Sequence, residues 1–167
     1  MSEQMEQDKP GTMPRKMTRR GLGILAGAAL VGGTVFAANW FNVAASANGS
    51  GVLSVSEAHS AALAGDILLI DIRRPDEWTR TGIGEGAEPL DMRREDFVTA
   101  LSQLADGNTA RPIALICARG VRSRRMTNIL TEAGFGQIID VPEGMLGSGA
   151  GPGWLKSGLP VVEWTAS

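Results

Sequence analysis

Ile113-Ala114-Leu115-Ile116-Cys117-Ala118-Arg119-Gly120-Val121-Arg122-Ser123 holds the single cysteine of a 167-residue chain, directly after four apolar residues. Such a short, unbroken apolar run suits a strand covered on both faces of a sheet. From Ser123 to Ala133 the pattern predicts a helix with Met126, Ile129 and Leu130 inward, ended by Gly134. Upstream, Ile67-Leu68-Leu69-Ile70 reads as a second buried strand. Ahead of it lies a helix capped by Ser54 or Ser56 that runs through Ala64 to a stop at Gly65. Pro75 opens a turn before a short helix at Glu77-Trp78, and Gly82, Gly84 and Gly86 interrupt regular structure ahead of Pro89-Leu90-Asp91-Met92. Glu95 to Ala105 reads as a helix with Phe97, Val98, Leu101 and Leu104 on one face. Ile138-Ile139-Asp140-Val141 gives a third strand, and Trp154-Leu155 a last helical turn. Strand and helix alternating over about a hundred residues predict an α/β domain spanning 52–165, an open, mostly parallel sheet with helices on both faces.

Composition narrows the chemistry. A hydrophobic fraction of 43% with 20% charged residues belongs to a foldable globular chain. The net charge of −2 offers no general attraction to nucleic acid, whose phosphates demand a basic face. One cysteine excludes an internal disulfide, and with one histidine it leaves too few ligands for a structural zinc site. No metal or cofactor is expected. Tyrosine is absent, so no phenol serves as acid or base.

The first 47 residues read as an address. A basic cluster, Arg15, Lys16, Arg19 and Arg20, precedes an uncharged stretch from Gly21 to about Phe41, and Val43-Ala44-Ala45-Ser46-Ala47 supplies an A-x-A pattern. Thr18-Arg19-Arg20-Gly21-Leu22 resembles a twin-arginine export signal. Cleavage after Ala47 is one outcome, an uncleaved anchor of about 20 apolar residues contacting the membrane another, and a buried cytoplasmic helix the third. The first two put the domain in, or facing, a bacterial periplasm.

Ligands of parallel α/β sheets bind at the carboxyl ends of strands, where Cys117 is expected. The loop can turn backbone N–H groups inward as an anion nest, the following helix adds roughly half a positive charge at its N-terminus, and Arg119 and Arg122 add full charges. All three favour a thiolate, and Gly120 supplies the backbone freedom for a tight turn. Asp71 and Arg73, past the earlier strand, read as paired charges that fix the neighbouring loop, with Glu77 a further candidate partner, in preference to a catalytic acid. His59 reads as a surface residue, and Trp78, Trp154 and Trp164 as packing.

The Cys117 segment resembles the active-site loop of the rhodanese family of sulfurtransferases. In order along the chain, Leu69-Ile70-Asp71-Ile72-Arg73-Arg74-Pro75-Asp76-Glu77-Trp78 resembles that family's "LIDVR-x-P-x-E-[FW]". Thr81-Gly82-Ile83-Gly84-Glu85-Gly86-Ala87 resembles "GHIPGA", and Gly144-Met145-Leu146-Gly147 with Gly158-Leu159-Pro160-Val161 resembles "GGMLGW…GLPV". The sequence departs from the pattern at Gly82, where the family has histidine, at Glu143, where it has glycine, and at 148–153, an insertion that displaces a tryptophan to Trp154. The resemblance implies a double displacement. Cys117 takes a sulfane sulfur from an anionic donor such as thiosulfate and passes it to cyanide or a thiol. Ala118, Arg119, Gly120, Val121, Arg122 and Ser123 then form the loop that holds the persulfide, Arg122 and Arg119 orienting the donor. Related phosphatases need Cys-x5-Arg; here the loop is Cys-x4-Arg, with Ser123 where their arginine stands. A persulfide carrier or sensor with low turnover is the alternative, and an idle scaffold a third.

Overall fold

The computed structural model describes residues 51–165; the expected address at 1–47 lies outside them. Five strands form one sheet: β1 (Gly51–Val52), β2 (Leu68–Asp71), β4 (Ala87–Pro89), β5 (Ile113–Ile116) and β6 (Ile138–Val141). Their order is β1-β6-β5-β2-β4, and every pairing is parallel. The remaining two strands, β3 (Ile83–Gly84) and β7 (Val161–Val162), pair antiparallel beside it.

Side chains alternate across a strand, and β5 shows both consequences. Ile113 and Leu115 enter one core with Ile70, Phe97, Leu101, Met126 and Leu130, which brings α3 (Phe97–Leu104) and α4 (Val121–Glu132) onto that face. Ala114 and Ile116 enter the other with Val55, Ala58, Met145 and Trp154, from α1 (Val55–Ala64), α5 (Gly153–Lys156) and the turn between β6 and α5. The open parallel sheet with helices on both faces is therefore present. The short helix α2 (Pro75–Thr81) follows β2 at its carboxyl end.

Ser54 caps α1 through a reciprocal pair: it accepts from the Glu57 N–H at 3.3 Å, and the Glu57 carboxylate accepts from the Ser54 N–H at 2.9 Å. The hydrogen bonds from Ser54 hold the Glu57 carboxyl below its ordinary pKa.

Two expected inward residues face solvent. Val98 and Ile129 are each 40% exposed. In α3 the buried stripe is Phe97, Ala100 and Leu101, with Leu104 partly covered, an i, i+3, i+4, i+7 set that leaves Val98 about 100° off the axis of burial. In α4 the stripe is Ser123, Met126, Thr127 and Leu130, two of them polar. They are tolerated because Ser123 donates to the Gly120 carbonyl at 3.1 Å and Thr127 to the Ser123 carbonyl at 3.0 Å. Hydrophobicity alone therefore misplaced Ile129. Helix α4 also begins two residues earlier than expected, because Gly120, at φ +80°, caps it. Val121, Arg122 and Ser123 are thus its first turn, not free loop.

Candidate active site

Cys117 follows β5 at the carboxyl edge of the sheet, where strand ends and helix starts converge. It is 1% exposed. Three hydrogen bonds close a ring around its sulfur. The Gly120 N–H donates to Sγ at 3.2 Å, the thiol donates to Ser123 Oγ at 3.6 Å, and the Ser123 hydroxyl returns to the Gly120 carbonyl at 3.1 Å. Of the other loop amides, those of Ala118 and Arg119 meet no protein acceptor among the described residues. Donors without partners beside a sulfur are what a site for an anion requires.

Glycine is needed at two points of this loop. Gly120 has φ +80°, and a Cβ there would run into the Pro142 carbonyl. Gly144, at φ +68°, lies so close under the loop that a Cβ would stand 2.6 Å from the Ala118 carbonyl and 2.7 Å from the Arg119 nitrogen. The segment after Gly144 clasps the loop from below: Met145 N–H donates to the Cys117 carbonyl at 2.8 Å and Leu146 N–H to the Ala118 carbonyl at 2.9 Å. These bonds fix the loop carbonyls outward from the sulfur, so that amides and not carbonyls turn toward it.

The two expected donor-orienting arginines have different neighbours. Arg122 meets Glu77 as a fork on a fork, Nη1 to Oε2 and Nη2 to Oε1, both at 2.7 Å. The Arg122 guanidinium holds the Glu77 carboxyl down to about 2, and Glu77 in turn raises Arg122, with a smaller contribution from the charge of Cys117. The terminal nitrogens of Arg122 are therefore committed to α2. Arg119 is exposed and donates to the Gly147 carbonyl at 3.2 Å.

Asp71 and Arg73 form the ion pair expected of them. Arg73 Nε lies 2.9 Å and Nη2 2.6 Å from the Asp71 carboxylate, both side chains essentially without solvent. The remaining donors reach Thr81 Oγ1 and the Gly82 carbonyl, each at 2.7 Å. Asp71 also accepts the Arg73 backbone N–H at 3.1 Å. The pair thus pins the C-terminal end of α2, and α2 carries the Glu77 that holds Arg122. Glu77 touches Arg73 only through its carbonyl, at 3.5 Å.

Two side chains take roles that sequence reasoning missed. Glu143, the departure from glycine, is buried and accepts the Val55 N–H and the Gly153 N–H, both at 3.1 Å. One carboxylate thereby serves the N-terminal turns of α1 and α5. A glycine followed at 143 would have made neither bond, but nothing local marks Val55 as the partner 88 residues away. His59 is part-buried, not a surface residue: its ring meets Trp154 edge-on at 5.2 Å and Nε2 lies 2.9 Å from Glu85. Trp154 itself is fully buried, its Nε1 donating to the Pro160 carbonyl at 2.8 Å, and its ring occupies the space a Cβ on Gly84 would need. The 148–153 insertion therefore leaves a tryptophan in the core. Among the described residues no cluster of histidine, cysteine and carboxylate groups could hold a metal ion.

Residues 54–147, from the cap of α1 to the clasp beneath the Cys117 loop, match the family model of the rhodanese-like domain. The chain belongs to this family. Among solved structures, the rhodanese-like domain described here is similar to the polysulfide-sulfur transferase homodimer of Wolinella succinogenes, at 25% identity and a TM-score of 0.51, covering 74% of this chain and 85% of that one. It shares its fold with a thiosulfate sulfurtransferase of Pseudomonas aeruginosa, at 21% identity and a TM-score of 0.55, over 70% of this chain and 21% of the other. An uncharacterised protein of Rickettsia conorii is 24% identical over 102 residues, 55% of this chain and 80% of that protein. At the level of the family, membership of the rhodanese-like domains and the likeness to the polysulfide-sulfur transferase support a function of the sulfurtransferase type.

Proposed function

We propose that this rhodanese-like domain is a sulfurtransferase that carries sulfane sulfur on Cys117 as a persulfide. The observation that carries the reading is the environment of Sγ: one backbone N–H already aimed at it, a hydroxyl beside it and two amides in the same loop that meet no acceptor among the described residues. The Cys117 thiolate attacks the outer sulfur of thiosulfate, the sulfur–sulfur bond to the sulfonyl group breaks, and sulfite leaves with the electron pair. A polysulfide, the substrate named for the Wolinella succinogenes relative, gives the same intermediate with a shorter polysulfide as leaving group. The persulfide anion is held by the Gly120 amide and those of Ala118 and Arg119, and Ser123 turns its hydroxyl from Gly120 to the sulfur. A thiol or cyanide then removes the outer sulfur and restores Cys117. Hydrolysis of phosphate monoesters is disfavoured, since Arg122 is engaged by Glu77 and the loop is one residue short for a tetrahedral phosphate. We also assign the domain to the periplasmic side, on the basic and apolar pattern of residues 1–47.

Mass spectrometry of the intact protein after incubation with thiosulfate tests the reading. A gain of about 32 Da, absent in Cys117→Ser, is expected. The same spectrum reports whether the chain starts at Met1 or after Ala47. Turnover with thiosulfate and cyanide separates an enzyme from a carrier, which would load once and discharge slowly. No gain with any sulfane donor would defeat both.

A further inference from the structure

Cys117 is 1% exposed, and the donor anion belongs on the amide side of its sulfur, so the thiol proton needs another way out. Asp140 marks that way. In the register of β5 and β6 it pairs with Leu115, and Leu115, Cys117 and Ile138 all enter the core beneath α4. Alternation along β6 puts the Asp140 side chain on the same face as Ile138. The residue is 6% exposed, and its Oδ1 is sealed from solvent without a hydrogen-bond partner. Oδ2 turns to Arg124, 3.9 Å from Nε. Asp140 and Arg124 also line a cavity of about 330 Å³ with Val52, Thr127, Asn128 and Pro142, and Arg124 and Asn128 are exposed at its rim.

Ser123 stands between the thiol and this carboxyl. It is fully buried, and its Oγ accepts the Cys117 thiol at 3.6 Å. The hydroxyl also borders Asp140, where hydrogen bonding offsets part of what burial does to the carboxyl. A hydroxyl has one proton to give, and here it goes to the Gly120 carbonyl at 3.1 Å, which leaves Oδ1 without a donor. Rotation about the Ser123 Cα–Cβ bond redirects it to Asp140. Burial pushes the Asp140 carboxyl up, toward the range of a thiol, and that makes it a better base. Position 140 therefore holds a group whose ionisation costs stability, a pattern found where chemistry and not packing sets the residue.

We propose that Asp140 is the base that takes the Cys117 proton through Ser123 and releases it to solvent by way of the cavity beneath Arg124. The assignment rests on the sulfurtransferase reading above and adds a positioning residue to that site, since Asp140 touches neither donor nor sulfur. As Sγ attacks the outer sulfur of the donor, the thiol proton moves to Ser123 Oγ and the former hydroxyl proton moves to Asp140. The electron pair of the S–H bond stays on Sγ and forms the new sulfur–sulfur bond. Asp140 becomes a carboxylic acid, and Ser123 keeps one proton, now directed at the sulfur. The acid then gives its proton to solvent, and no oxidant or reductant is consumed. Few charges surround the carboxyl: Arg124 faces it from α4, Cys117 lies beyond Ser123, and the cavity residues of β1 and the segment after β6 carry none.

The rate of sulfur loading from thiosulfate, followed by intact mass from about pH 6 to about pH 9.5, tests the relay in the native protein, Asp140→Asn, Ser123→Ala and the double variant. Asp140→Asn should match the native rate near pH 9.5, where the thiol ionises unaided, and fall at least about tenfold behind it near pH 6. Ser123→Ala should show the same widening gap on top of a loss at every pH, and adding Asp140→Asn to it should change nothing further. A ratio constant across pH, or an Asn variant that is faster because a negative charge has gone, would overturn the proposal. Alkylation by iodoacetamide repeats the comparison without a sulfane donor. Should Cys117 load no sulfur while its alkylation shows the widening gap, the relay stands and the sulfurtransferase reading fails. Alkylation indifferent to Asp140, or a Cys117 that reacts with neither reagent, removes the relay.

Discussion

Gly120 shows how much a single residue can fix. Its left-handed φ and the nearness of the Pro142 carbonyl leave no room for a side chain, and its N–H and C=O both belong to the ring around Cys117 Sγ. Gly120→Ala is expected to destabilise the domain by about 2–4 kcal/mol, from backbone strain plus a forced shift of Pro142, and to abolish sulfur loading. Urea denaturation and mass spectrometry measure the two effects, and an unstrained loop would show neither. Arg73 is the second such case. Removing its charge leaves the buried Asp71 carboxyl without its charge partner, so Arg73→Met should cost about 3–5 kcal/mol. Denaturation of Arg73→Met beside the double variant Asp71→Asn/Arg73→Met checks the cause, because loss of both charges should recover much of the difference. That Asp71 and Arg73 pair was legible from their spacing past a strand. The partner of Arg122 was not, since Glu77 sits 45 residues away and no feature of either segment names the other.

Among the elements, α2 is the one that the loop chemistry depends on. Arg73 holds its end at Thr81 and Gly82, and Glu77 extends from its first turn to Arg122 at the start of α4. Glu77→Gln keeps the size of the side chain and removes its charge. It should destabilise the protein by about 1–3 kcal/mol, less than a wholly buried pair because Arg122 is partly in water. It should also slow loading, since Arg122 is then free to leave its place beside the loop. Thermal unfolding and the rate of the mass gain report on the two. Helix boundaries were legible to within a few residues because caps and stops are local: Ser54, one of the two caps read for α1, and Gly65 bound it. The inward faces of α3 and α4 were less so, because Ser123 and Thr127 are buried on hydrogen bonds that a hydrophobicity pattern does not contain.

At the scale of the whole molecule, two carboxylates give stability an opposite dependence on pH. The Arg122 guanidinium holds Glu77 down at about 2 in the folded chain against an ordinary 4.5, so the unfolded chain takes up its proton first as pH falls. Its contribution is complete above about pH 4.5 and is lost as pH drops toward 2. Asp140 is the reverse. Burial raises its pKa above 3.8, with Ser123 and Arg124 offsetting part of the shift, and one of its oxygens has no hydrogen-bond partner. The folded chain binds that proton more tightly, so Asp140 costs stability as pH rises above 3.8, in full once pH exceeds its folded pKa. Asp140→Asn is therefore expected to be more stable than the native protein near pH 7, by about 1 kcal/mol, with the gain fading as pH falls from the folded pKa toward 3.8. Denaturant titrations at pH 7 and pH 3 decide it, and a variant equally stabilised at both would point to packing in place of charge.

The sequence by itself determined the alternation of strands and helices, the placing of Cys117 at a strand end, and the tight loop that Gly120 permits. Those features are encoded within a few residues of one another, in runs, caps and glycines. The tertiary structure decided which charges meet. Arg122 turned to Glu77, Glu143 reached the starts of α1 and α5, and Trp154 settled over Gly84. Each joins residues far apart in the chain, and the strength of a charge pair or the fit of a ring depends on distance and burial that exist only once the sheet has brought them together.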